Sequence, residues 1–329
     1  MLTSTIPEIM TDSRPSVSSL LKTMVPTVLS LSLAGCLATQ QSLPAAAGWQ
    51  SPLHQEHGLV GRIWDVRAGT FIDREQLAGA LRAPLILLGE KHDNPDHHRL
   101  QRDVIAHLQR GGQLTGVSFE MLGSHQQALL DTLPADASEP QVREHLEWDE
   151  EGWSWEFYGP MVMDLLRNGT TIRTANISES EMMAIYQGES DPGLAGVMNA
   201  EQMAQLNRDI DESHCGMLPS SQFPPMVRVQ QTRDLVMARS LQQSVPAGAG
   251  QRVLVAGNFH ARRDLGVPNY LNADDASIVS LSFTEVDPAS NDPVDYLEQA
   301  ISGIRPYDYL WFTPAVSSED YCEGMRAGL

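Results

Sequence analysis

Residues 83–89 read APLILLG, and this stretch restricts the fold more than any other in the chain. A strand with one wet face alternates apolar and polar residues, whereas a continuous apolar run bounded by breakers is a strand covered on both faces. RVLVAG at 252–257 repeats the pattern and also breaks at a glycine. Two such runs predict a parallel sheet with helices above and below it.

The remaining segments fit that frame. GLVGRIWDV reads as a strand, DREQLAGALR as a short amphipathic helix, and LTGVSFEML, TIRTANIS, ASIVSLSFTEV and YDYLWFTPAV as further strands. After His92, either Asp93 or Asn94 is placed to cap a helix with Pro95 in its first turn. Leu100, Val104 and Leu108 follow at a spacing of four, until Gly111-Gly112 ends the helix. A polar, helical stretch over 178–245 precedes the second apolar run. The expected class is therefore α/β, a mainly parallel sheet flanked by helices and carrying a helical insertion.

Both apolar runs end alike, in Gly89-Glu90-Lys91-His92 and Gly257-Asn258-Phe259-His260. Strand ends of an open parallel sheet converge on a crevice where ligands bind. Glu120 leaves a third strand at the same edge. His92, Glu120 and His260 make a donor set suited to zinc, iron or manganese, with glycines that let the backbone come close. Alternatively, both histidines hydrogen-bond loop carbonyls. His97 falls near the buried face of its helix. Its neighbour His98 points about 100° away and is expected in solvent.

The 329 residues carry a net charge of −20. So acidic a chain offers no basic stripe for counterion release, which argues against a nucleic-acid partner. At the N-terminus, Arg14 and Lys22 precede MVPTVLSLSLAG, an apolar stretch too short for the ~20 residues of a membrane span. It ends in Leu33-Ala34-Gly35-Cys36, which resembles a bacterial lipobox, so 1–35 reads as a lipoprotein signal peptide and Cys36 as the lipidated residue. Residues 36–58, Ala/Pro-rich and aperiodic, read as a tether, 59–316 as the folded domain and 317–329 as a C-terminal tail. Leu37 after the cysteine favours the outer membrane, facing the periplasm, by resemblance to Gram-negative lipoproteins. Cys215 and Cys322 either pair in that oxidising compartment or stay as thiols.

LILLGEKHDNPDHHRLQ, GVSFEML, WSWEFYGPMV, CGMLP, RDLVMARSL, VAGNFHARRDLGVP and YDYLWFTPAV together resemble the ChaN family of haem-binding lipoproteins linked to iron uptake. Its superfamily includes the Tiki metalloproteases and the erythromycin esterases. The resemblance runs from about residue 59 to 316. It implies haem held by a tyrosinate on the iron, histidine contacts to the propionates, and a homodimer. Tyr158, in Trp153-Ser154-Trp155-Glu156-Phe157-Tyr158, is the expected ligand, since phenolate is a hard oxygen donor for Fe(III). Tyr186, Tyr270, Tyr307 and Tyr309 compete for that role. His92, His97 and Arg262 are the expected haem contacts, with Arg262 and Arg263 suited to carboxylates. The superfamily also implies an alternative, a metal-dependent peptidase or esterase using His92, Glu120 and His260, with Glu90 either a base or bonded within its own loop.

Overall fold

The computed structural model describes Leu43 and residues 48–243, 250–319 and 322–324, all within one compact unit. In chain order the strands are β1 (Ile63–Asp65), β2 (Thr70–Ile72), β3 (Leu85–Glu90), β4 (Leu114–Gly123), β5 (Thr171–Asn176), β6 (Gln251–Gly257), β7 (Ile278–Glu285) and β8 (Tyr309–Thr313). The helices are α1 (Arg74–Ala80), α2 (Pro95–Arg110), α3 (Gln127–Thr132), α4 (Glu139–His145), α5 (Trp155–Arg167), α6 (Glu179–Gln187), α7 (Ala200–Ser213), α8 (Phe223–Gln243) and α9 (Asn258–Ala261).

One sheet runs in the order β2-β1-β8-β7-β3-β6-β4-β5. The six strands from β8 to β5 are mutually parallel, and only the short β1–β2 hairpin at one edge is antiparallel. The strand expected at GLVGRIWDV is shorter than its apolar pattern, and its partner β2 has only three residues.

The APLILLG run lies at the centre, and every residue of β3 is buried. Its side chains alternate between two cores. Ile86 and Leu88 pack with Leu100, Val104 and Tyr158 beneath α2 and α5, while Leu85 and Leu87 pack with Met237, Ala238 and Leu241 beneath α8. A fully buried Leu or Ile contributes roughly 1.5–3 kcal/mol, so such a strand is stable only with both layers in place. Asn94, not Asp93, caps α2: its side-chain oxygen accepts from the Asp96 and His97 amides at 2.9 and 3.2 Å.

Both expected domain boundaries shift outward. Residues 49–58 were expected in the tether, but Ser51 is buried and Gln50 and Ser51 donate their amides to the Asp96 carboxylate at 3.1 and 2.8 Å. Leu53 forms a β-bridge with Ala315. These backbone groups lose water and must be paired, which Asp96 at the start of α2 accomplishes. At the other end, Cys322 of the expected tail is disulfide-bonded to Cys215, just beyond α7. Cys36, the signal segment and residues 37–42 and 44–47 of the tether lie outside the described residues.

Candidate functional site

The parallel register sets β3 beside β6 with Glu90 opposite Gly257, so the two Gly-x-x-His sequences leave the sheet next to each other. Strand β4 flanks β6 on its other side and brings Glu120 to the same edge. The structure thus brings His92, Glu120 and His260 to one cleft of about 620 Å³. Trp153, Leu206, Ile210, Phe259 and Phe283 give it apolar walls, and Lys91, His92, Glu120 and Arg233 are among its polar groups.

His92 has a half-exposed ring, 43 % accessible, set edge-on against Trp153 with ring centroids 4.9 Å apart. Its Nδ1 lies 2.7 Å from Glu90 Oε1, the same oxygen that accepts the Tyr158 hydroxyl at 2.9 Å. Burial lowers the His92 pKa, but Glu90 more than offsets this and the net shift is upward.

His260 is buried between two carboxylates. Nε2 is 3.3 Å from Glu120 Oε1 and Nδ1 is 2.6 Å from Asp234 Oδ1. Arg233 donates to Glu120 Oε1 at 2.7 Å, and the Gly257 amide donates to Glu120 Oε2 at 2.8 Å. Burial pulls the His260 pKa down, yet the carboxylates prevail and lift it to about 9. Burial likewise disfavours charge on Glu120, but His260 and Arg233 hold its pKa far below the usual carboxylate range. Glu120 thus lies between Arg233 and His260, and His260 between Glu120 and Asp234, beside the cleft. The expected metal ligands share a site, but Glu120 and His260 spend their donor atoms on each other, on Arg233 and on Asp234. Among the described residues no three His, Cys, Asp or Glu side chains are arranged to hold a metal ion. Glu90, the candidate base, is committed to Tyr158 and His92.

Several expected haem contacts face elsewhere. Tyr158 is fully buried, and its hydroxyl points at Glu90 rather than into the cleft. Burial, and then the Glu90 carboxylate, push its pKa well above the ordinary 10. Tyr307 is buried and donates to Asn258 O at 3.0 Å. Neither it nor Tyr186, Tyr270 or Tyr309 lines the cleft. His97 does border the cleft, but the Lys91 amide donates to its Nδ1 at 2.9 Å and its Nε2 meets Thr313 Oγ1 at 2.8 Å. Burial holds its pKa well below 6.5, so it serves as a neutral structural histidine.

Arg262 is 1 % exposed, bidentate to Asp264 at 2.9 and 2.8 Å and paired with Glu298. Arg263 is held by Asp308 at 2.7 Å and by Asp275. Both guanidinium groups are thus engaged inside the protein. His98 is not in solvent: it is buried, stacked on Phe157 at 4.7 Å, and its Nε2 donates to His92 O at 3.0 Å.

Sequence reasoning missed Asp234 and Arg233 of α8 and the wall contributed by α7. One local signal existed. Asp234 falls on the same helical face as Met237, Ala238 and Leu241, all buried. A carboxylate on an apolar stripe requires a buried partner, here His260.

Residues 77–271 match the family model described as haem-binding uptake, Tiki superfamily, ChaN. Among solved structures, one described as cofacial heme binding to ChaN of Campylobacter jejuni is 25 % identical with a TM-score of 0.60, covering 76 % of this chain and 95 % of that one. An erythromycin esterase mutant in its open conformation is 11 % identical with a TM-score of 0.43, covering 74 % and 93 % respectively. No curated protein matches.

Proposed function

The chain belongs to the ChaN haem-binding uptake family of the Tiki superfamily, and from that membership we propose that it binds haem in the cleft at the carboxyl ends of β3, β4 and β6. One observation carries the reading: an apolar-walled cleft of about 620 Å³ holds a half-exposed imidazole, His92, backed by a buried carboxylate. Apolar walls suit the faces of a porphyrin, and Lys91, which lines the cleft with a part-exposed side chain paired to Asp93 and Glu285, would meet its carboxylates by exchanging those partners. His92 is the residue that would hold the iron. The bound haem itself supplies the redox and ligand chemistry of iron.

The family resemblance implies a tyrosinate instead. Tyr158 reaches that role only by abandoning Glu90 and leaving the core, so the geometry favours His92. A haemin absorbance titration separates the two. His92→Ala is expected to lose at least about tenfold in affinity and to change the spectrum, while Tyr158→Phe keeps the wild-type ligand signature. Absence of saturable haemin binding by the wild type would remove the reading. Loss of a charge-transfer band in Tyr158→Phe, with His92→Ala unaffected, would restore the tyrosinate.

We further propose that Cys36 is lipidated and anchors the protein at the outer membrane facing the periplasm, where it receives or stores haem during iron acquisition. The lipobox-like Leu33-Ala34-Gly35-Cys36 supports the reading, and no helix among the described residues is long and apolar enough to cross a membrane. Haem would promote a homodimer, because stacking two porphyrins across a two-fold axis buries their apolar faces.

A further inference from the structure

Helix α7 walls the cleft with Leu206, Asp209, Ile210 and Ser213, and its two ends are held by different means. At the amino end, Asn199 donates to Ser302 Oγ at 2.9 Å and the Ser302 amide donates to Glu201 Oε2 at 3.1 Å. Gln202 donates to Asp264 O and Asn269 Oδ1 at 2.6 and 3.0 Å. Leu206 then enters a small core with Val227, Leu265 and Ile301. Beyond it such ties stop. Among the described residues, the hydrogen bonds of 207–217 all stay within the helix and the turn that closes it, as from Asn207 to Met203 O and from Ser213 to Ile210 O. Ile210 packs partly buried on the small core, and the remaining tie is the bond from Cys215 to Cys322.

The turn itself points to the sulfur. The Gly216 amide donates to Asp211 O at 2.8 Å and the Cys215 amide to Glu212 O at 2.9 Å, the paired bonds of a Schellman motif. Cys215 therefore occupies the left-handed position that usually carries glycine, with φ at 59°. A side chain is disfavoured there, so the backbone gives no reason for a cysteine and the bond to Cys322 does. On the other side of that bond, the chain leaving β8 is fixed at the cleft rim. Ala315 pairs with Leu53, and the Val316 amide donates at 3.0 Å to Glu285, which lines the cleft. Cys322 follows six residues later. The disulfide thus joins the α7 wall to the rim at the end of β7 and β8.

We propose that the Cys215–Cys322 bridge is a redox-sensitive clamp on the cleft: oxidised, it holds the carboxyl-terminal half of α7 in place as a wall, and reduced, it releases that half while the sheet stays folded. Both cysteines are part-exposed, so a dithiol reaches the bond. Its thiolate attacks one sulfur, forms a mixed disulfide and leaves as a cyclic disulfide. Cys215 and Cys322 take up the two electrons and two protons and become thiols. With the covalent tie gone, Asp209, Ile210 and Ser213 stand on a half-helix that keeps only its partial packing, the kind of segment that opens locally.

Amide hydrogen exchange on the whole protein tests this, oxidised and after reduction by dithiothreitol, read over the first minutes, when local opening dominates. With the Cys215 and Cys322 thiols shown to be free, amides of 207–217 are expected to exchange at least about tenfold faster, while β3, β6 and α8 keep their protection. Reoxidation should restore the slow rate. The double variant Cys215→Ser, Cys322→Ser is expected to exchange fast in this segment with or without the dithiol. Unchanged exchange of 207–217 in the fully reduced wild type overturns the proposal. So does protection lost equally from β3, β6 and α8, which would make the bridge a brace of the whole fold and not a clamp on one helix. The reduced wild type decides alone if the double variant fails to fold. No readout involves haem, so the outcome is independent of the function proposed above.

Discussion

Gly257 and His92 compete for one space: a Cβ built on Gly257 meets His92 Nε2 at 2.9 Å and Cε1 at 3.0 Å. The backbone does not demand glycine here, since φ is −57°. The requirement is purely one of room beside the imidazole. Gly257→Ala should therefore fold, at a cost of about 1–3 kcal/mol for the forced contact, and should displace the ring. Haemin affinity is expected to fall about tenfold. Wild-type affinity in a folded Gly257→Ala would show that the space beside Nε2 is not used.

The network around His260 predicts a pH dependence of stability. A group whose pKa is raised on folding, here from 6.5 to about 9, contributes fully below 6.5 and loses its contribution as the pH rises through 9. Glu120, depressed from 4.5, contributes fully above 4.5 and loses its contribution as the pH falls below it. The contributions of His260 and Glu120 are therefore both complete between pH 4.5 and 6.5, and that of His260 is lost toward pH 9. Urea midpoints measured across that range should decline in the wild type and stay level in His260→Gln. A wild-type midpoint that rises between pH 6.5 and 9 would contradict the assignment.

Arg262 separates structure from ligand binding. Its guanidinium and the Asp264 carboxylate are both buried, so Arg262→Ala leaves an uncompensated anion and should cost about 3–5 kcal/mol. Where the protein remains folded, haemin affinity should equal that of the wild type. Large loss of haem binding without a drop in melting temperature would return Arg262 to the site.

The disulfide between Cys215 and Cys322 closes a loop with a sequence separation of 107. Cross-linking so long a loop restricts the unfolded chain, and its removal should cost about 2–5 kcal/mol. Cys215→Ser and the wild type in a dithiol reductant should show the same lowered denaturant midpoint. A reduced wild type as stable as the oxidised one would show that the bridge contributes nothing.

Membrane attachment through Cys36 has a direct check. Cys36→Ala should leave the washed membranes and appear in the soluble fraction. Retention of the variant in membranes would point to another anchor.

Much of the frame was legible in local patterns. The continuous apolar runs before Gly89 and Gly257 predict strands buried on both faces, and β3 and β6 are such strands. Asn94-Pro95 followed by Leu100, Val104 and Leu108 predicts α2, and the matched Gly-x-x-His sequences with Glu120 predict one shared edge. These signals lie within a few residues of what they specify, because strand pleat, helix period and capping are neighbour effects.

Only the tertiary structure decided which polar groups face the cleft. Glu120 meets the Gly257 amide across 137 residues, and His260 meets Asp234 of a helix whose sequence marked it only as part of a polar, helical stretch. Tyr158 follows three aromatic residues, which suggested a porphyrin platform, yet the hydroxyl turns inward because Glu90 needs a donor there. His98 was expected in water from helix geometry, but Phe157 and the His92 carbonyl cover it. A polar side chain goes where its partner is, and a buried charge tolerates no lesser arrangement. The partners here come from strands and helices that meet only when the sheet is assembled.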